Sequence, residues 1–115
     1  MLKILNRTAV IITPKQAFYD MLAGIMGEEA EQASAPYTDD ESTVYLIEET
    51  DLDEPATKER LKSCYIEICR EEINGWFTDQ SKWPTHITWK DFTTWFHISI
   101  QTMVFDTLDE DIEYE

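Results

Sequence analysis

The sequence predicts an α+β fold, a small three-stranded sheet with helices packed mainly on one face in the order β-α-β-α-α-β. Two β-branched runs, residues 8–13 and 43–49, are separated by segments with apolar residues at helical spacing. A third run, residues 97–105, alternates like a strand. The chain has 115 residues, 43% hydrophobic and 12% aromatic, which suffices for one packed core. One sheet covered by helices is the simplest layered solution for that order of elements.

Residues 8–13, Thr-Ala-Val-Ile-Ile-Thr, form the first strand, and Pro14 disfavours helix at Thr13. Residues 15–26 place Phe18, Met21, Leu22, Ile25 and Met26 three and four apart, which predicts a helix stopped at Gly27. Residues 28–42 have no apolar period and read as a mobile acidic loop. Residues 43–49 give the second strand. The stretch 51–57, rich in acids and holding Pro55, suits a helix start. One helix is predicted over about 55–76, closed near Gly75. A Trp-bearing connector over 77–90 leads to a short helix from about Asp91 to Phe96. For residues 97–105 a helix through 92–108 also fits the spacing, and β-branched density favours the strand.

In the third strand Ile98, Ile100, Thr102 and Val104 share one side, opposite His97, Ser99, Gln101, Met103 and Phe105. In the second, Tyr45 and Ile47 oppose Val44 and Leu46. Both faces are partly apolar while helices cover one. A homodimer formed through the second sheet face is the expected partner arrangement.

The net charge of −15 comes from 24 acids and 9 bases. Residues 28–54 hold eleven acids and no base, and residues 106–115 hold six acids. Residues 55–105 balance six acids with six bases. The expected object is a single domain over 1–115 with a near-neutral body, an acidic loop at about 28–42 and an acidic tail at about 107–115. Such a chain lacks the basic footprint for direct nucleic-acid binding and is repelled by anionic membranes. The acidic segments suit a basic protein partner. No apolar run is long enough to span a bilayer, and the N-terminus lacks the pattern of a secretory signal.

Cys64 and Cys69 are five residues apart, about 140° around one helix. They form neither a zinc knuckle nor a redox pair, and read as small hydrophobes in a reducing cytoplasm. Asp51 and Asp53 begin like a calcium loop, but Ala56 and Lys62 stand where glycine and glutamate are needed. No metal site or cofactor is expected. With only three glycines and no phosphate-loop or nucleophile-elbow motif, nucleotide and acyl-transfer chemistry find no support. No catalytic residue is assigned.

Six residues remain as ligand or partner candidates: Glu72, Trp76, Asp79, Trp83, Trp89 and His97. Glu72 lies about 20° from Leu61 on the helical wheel, inside an apolar arc of Leu61, Tyr65, Ile68, Cys69 and Trp76. An acid there is hydrogen-bonded, paired or raised in pKa. It reads first as a structural acid bonded to a tryptophan N–H, a tyrosine hydroxyl or the connector backbone, and second as a ligand-anchoring or acid/base carboxylate. The four tryptophans, Trp76, Trp83, Trp89 and Trp95, read as core first, then as interface anchors or a pocket lining. His97 reads as a surface residue before a ligand. His86 is a loop residue.

Leu5-Asn6-Arg7, Thr13-Pro14-Lys15-Gln16 and Thr43-Val44-Tyr45-Leu46-Ile47 carry a resemblance. It continues through Glu71-Glu72, Trp76, Thr78-Asp79, Trp83-Pro84, Phe92, Trp95-Phe96, Ser99 and Met103-Val104-Phe105-Asp106. By these the chain resembles a family of small, acidic, uncharacterised bacterial proteins. The resemblance implies a cytoplasmic bacterial domain and no particular chemistry. The function expected is a non-enzymatic protein-interaction or regulatory domain, self-associating. The alternatives are a small-ligand-binding domain with a Trp-lined pocket at Glu72, or an acid/base enzyme using Glu72 and His97. A DNA mimic is a special case of the first.

Overall fold

The strongest β-former in the chain becomes the centre of the sheet. In the computed structural model, which describes residues 2–27, 42–50 and 54–115, strand β2 (Arg7–Pro14) lies between β3 (Thr43–Glu48) and β4 (Phe96–Gln101), antiparallel to both. Its Thr8, Val10, Ile12 and Pro14 are sealed, as suits a β-branched run flanked on both edges. Pro14, which has no N–H to give, sits at the strand's end opposite Phe96. Register pairs Val10 with Tyr45 and Ile100, and Ile12 with Thr43 and Ile98.

Helices cover the side carrying these residues. Helix α1 (Gln16–Met26) buries Phe18, Tyr19, Leu22 and Met26, the stripe its sequence spacing predicts. It ends at Gly27, whose φ of 61° suits a residue without a Cβ. Helix α4 (Trp89–Trp95) opens with a capping box. The Thr88 hydroxyl accepts from the Asp91 N–H, and the Asp91 carboxylate accepts from the Thr88 N–H. The core joins Val10, Ile12, Phe18, Leu22, Ile47, Ile68, Ile73, Phe92 and Phe96 in one cluster. The molecule is α+β, with the three-stranded sheet the sequence predicts.

The single helix expected over 55–76 is two. Helix α2 (Glu54–Lys62) stops at Ser63-Cys64, and α3 (Tyr65–Asn74) restarts with Cys64 at φ −135°, ψ 0°. Helix α2 packs on β3 and α3 on α4. One straight cylinder with so broad an apolar arc cannot aim at both supports. At the break the Ser63 hydroxyl donates to the Arg60 carbonyl at 2.6 Å and the Cys64 N–H to that of Leu61 at 3.0 Å, so helix-end groups keep partners.

The third strand also differs from the expected 97–105. It begins one residue earlier, directly after α4, and ends at Gln101. A separate two-stranded ribbon then pairs β1 (Lys3–Ile4) with β5 (Phe105–Asp106). Ala9 faces Gln101 and Ile4 faces Phe105, so the N-terminal strand carries one extra residue across this joint. That offset interrupts the ladder as a bulge does. A helix through 92–108 is excluded by these pairings. The acidic tail beyond β5 is exposed, and Lys3 approaches Asp109 at 3.9 Å. The expected loop lies outside the described residues except Ser42, as do Asp51 to Asp53 of the expected helix start.

Candidate functional site

Where the end of α3 passes over β3, the two elements leave a cleft of about 370 Å³ lined by Thr43, Tyr45, Glu71, Glu72, Gly75 and Trp76. Strand alternation turns Tyr45 towards the helices beside Val10, and the α3 arc turns Glu72 towards the sheet. The Tyr45 hydroxyl donates to Glu72 Oε2 at 2.7 Å. Burial, and then the Glu72 carboxylate, push the Tyr45 hydroxyl well above its ordinary pKa. Tyr45 is therefore a standing donor and no base. Trp76 closes one wall, its ring edge-on to Tyr19 at 5.6 Å. Among the described residues two carboxylates and no base line the cleft, which suits a neutral or cationic group rather than an anion.

The other candidates are dispersed. Asp79 and Lys82 share a neighbouring cleft of about 340 Å³ with Trp76. The Asp79 carboxylate caps the short 3₁₀ turn Gln80–Lys82, accepting from Ser81 Oγ at 2.6 Å and Ser81 N–H at 3.2 Å. Chiefly the Ser81 hydroxyl bond holds its pKa below the ordinary value. Trp83 donates its indole N–H to the Phe77 carbonyl at 2.8 Å and lines a third, shallow cleft with Arg70 and Glu71. Trp89 meets Tyr65 edge-on at 5.5 Å and Phe92 at a tilt at 5.3 Å, with the Lys62 ammonium 5.6 Å from its ring centre. The tryptophans thus brace separate parts of the core, and Trp76 and Trp83 line different clefts among the described residues. His97 is exposed and pairs with Thr13, on the side of the sheet opposite Tyr45. Glu72 and His97 are not brought together.

Neither cysteine is poised as a nucleophile. Burial pushes the Cys69 thiol up to about 12 and raises that of Cys64. Both are free thiols. Among the described residues no group of three or more His, Cys, Asp or Glu side chains could hold a metal ion, and no helix is long and apolar enough to cross a membrane.

The second surface of interest is the face of the sheet that no helix covers among the described residues. Register places Ala9, Ile11 and Thr13 of β2 beside Val44 and Leu46 of β3 and His97, Ser99 and Gln101 of β4. Val44 is 60% exposed and Leu46 48%, against 0% for Val10 and Ile12 on the helix side. Leu2, Ile4, Met103 and Phe105 add exposed apolar side chains at the ribbon. Two features escaped sequence reasoning. Tyr45 is the partner of Glu72, for which the signal was an acid inside an apolar arc and a tyrosine on the core side of a strand. Thr8, Thr50 and Thr57 form a buried hydroxyl chain, which no spacing rule announces. No protein-family, curated-protein or solved-structure comparison gives a match to this chain.

Proposed function

We propose that this chain is a non-enzymatic protein-interaction domain that self-associates through its three-stranded sheet. The observation that carries the reading is the contrast along β3, with Ile47 buried on the helix side and Val44 and Leu46 open on the other. Exposed apolar side chains gathered on one surface mark interaction sites. The separation of Glu72 from His97 supports the non-enzymatic side. A cytoplasmic setting and the bacterial resemblance belong to the same reading, and the free thiols of Cys64 and Cys69 suit a reducing compartment. Sedimentation equilibrium over a wide concentration range tests it: a mass rising from one chain to two is expected, and a constant monomer mass would sink the reading.

A second reading rests on the Tyr45–Glu72–Trp76 cleft, which offers an aromatic wall and two carboxylates to a small neutral or cationic ligand. Screening amines by tryptophan fluorescence tests it. A saturable change abolished by Glu72→Gln would favour ligand binding, and a flat screen would count against it.

A further inference from the structure

We infer that the second copy joins in the plane of the sheet, β4 against β4 antiparallel, so that two three-stranded sheets become one of six strands. This rests on the self-association reading but sets the seam at the β4 edge of the sheet, so Val44 and Leu46 of β3 stay outside it. The strand order β3-β2-β4 leaves the outer edge of β4 without a partner strand among the described residues. Which backbone groups face that edge follows from register. The Lys15 N–H donates to the Trp95 carbonyl at 2.7 Å, and the pairing runs in unbroken register from Pro14↔Phe96 to Ala9↔Gln101. Alternation along an antiparallel ladder then gives His97, Ser99 and Gln101 to β2 and turns the N–H and C=O of Ile98 and Ile100 outward.

Within Phe96–Gln101 that edge carries no lysine, proline or acid. Proteins blunt free edges with lysine, proline, bulges or charge, whereas Phe96–Gln101 reads Phe-His-Ile-Ser-Ile-Gln and is unbulged against β2. Ile98 and Ile100 point to the helix side yet stay only half-buried, while Val10 and Ile12 beside them are sealed. A copy stacked on the opposite face would not cover them, and a neighbouring strand would.

Charge decides the occupant. The opposite edge of the sheet, β3, ends in the acid Glu48 and is followed by Glu49, whereas Phe96–Gln101 holds no acid. A basic partner is drawn there. A second copy of this acidic chain meets least repulsion along β4. Because the outward groups belong to Ile98 and Ile100, two β4 strands related by a two-fold axis pair Ile98 with Ile100 of the second copy and set Ser99 opposite Ser99. That register forms about four new hydrogen bonds and places the two Ser99 Cα atoms roughly 4.5 Å apart, as a non-hydrogen-bonded pair.

Cysteine cross-linking in the full chain tests this, in a Cys64→Ser background with Cys69 left sealed. Under mild oxidation Ser99→Cys should give a disulfide-linked dimer as the main product. Val44→Cys, though more exposed, and Gln101→Cys, which lies two residues from the axis, should stay largely unlinked. Ser99→Lys opposes two like charges and should weaken dimerisation by about tenfold or more, with near-ultraviolet circular dichroism confirming the fold. Linking through Val44→Cys instead, or a wild-type dimer that Ser99→Cys does not capture, would overturn edge pairing and leave self-association standing. A wild type that remains monomeric would remove the underlying reading as well.

Discussion

Thr8 shows how much a single hydroxyl can hold in this fold. Fully buried, its Oγ1 accepts the Thr50 N–H at 2.9 Å and lies 3.2 Å from the Thr50 hydroxyl, which reaches Thr57 at 2.8 Å. Valine has nearly the same shape and removes the acceptor, leaving the Thr50 N–H without that partner. Thr8→Val should therefore cost about 1–3 kcal/mol, read as a lower urea midpoint with an unchanged slope. Cys69 governs a different variable. Its unfolded thiol titrates near 9 and the folded one at about 12. Below pH 9 both states keep the proton and the contribution is whole. As pH rises from 9 towards 12 the unfolded state alone releases it, and stability falls. Tyr45, raised in the same direction from 10.0, adds to the fall from pH 10 upward. Urea midpoints measured against pH should drop across this range in the wild type, and Cys69→Ala should lose less of its own stability between pH 9 and 10. An equal decline in both would contradict the assignment to Cys69.

At the scale of elements, α1 and the strands were legible because one physical cause dominates each. In α1, Phe18, Met21, Leu22, Ile25 and Met26 make a stripe and Gly27 a stop. In β2, β-branching serves a strand flanked on both sides. The break between α2 and α3 was not legible, since Ser63 and Cys64 are ordinary helix residues. It arises because α2 must reach β3 while α3 reaches α4, a tertiary demand that overrides local propensity. The breadth of the apolar arc was the trace it left in the sequence. The candidate site divides in the same way. Glu72 stood out from its place in that arc, but its bond to Tyr45 spans 27 residues of chain and needs the packing of α3 over β3. His97 was a candidate for its chemistry, and strand parity put it on the other face. Helix α4 gives the sharpest test at this scale, because its seven residues are too few to be stable alone. Its capping box and the burial of Phe92 and Trp95 hold it. Thr88→Ala should cost about 1 kcal/mol and lower the thermal midpoint by a few degrees, and Thr88→Ser should restore most of it. A serine variant as unstable as the alanine would point to lost packing of the threonine methyl instead of the cap.

The whole molecule sets apolar attraction against its own charge. Two copies, each of net −15, repel at long range, and salt screens that repulsion over a Debye length of about 10 Å at 0.1 M. The edge proposed for contact, Phe96–Gln101, holds His97 but no acid, lysine or arginine, so screening removes little attraction there and much of the repulsion between acidic segments elsewhere. Self-association should therefore tighten as sodium chloride rises from roughly 0.02 to 0.5 M, with the dissociation constant falling monotonically. A complex with a basic partner, held by residues of the 28–54 stretch, must behave oppositely, because salt then screens attraction. Sedimentation equilibrium across that salt series reads the sign directly. Neutralising Glu48 and Glu49 to glutamine separates the two cases again, since it lowers the repulsion between copies and lowers the pull on a basic protein. A homodimer that tightens on both salt and neutralisation is driven by apolar and backbone contacts. One that loosens on both would require the acidic stretch itself to be the contact surface, with the bases Lys3, Arg7 and Lys15 of the second copy as its partners.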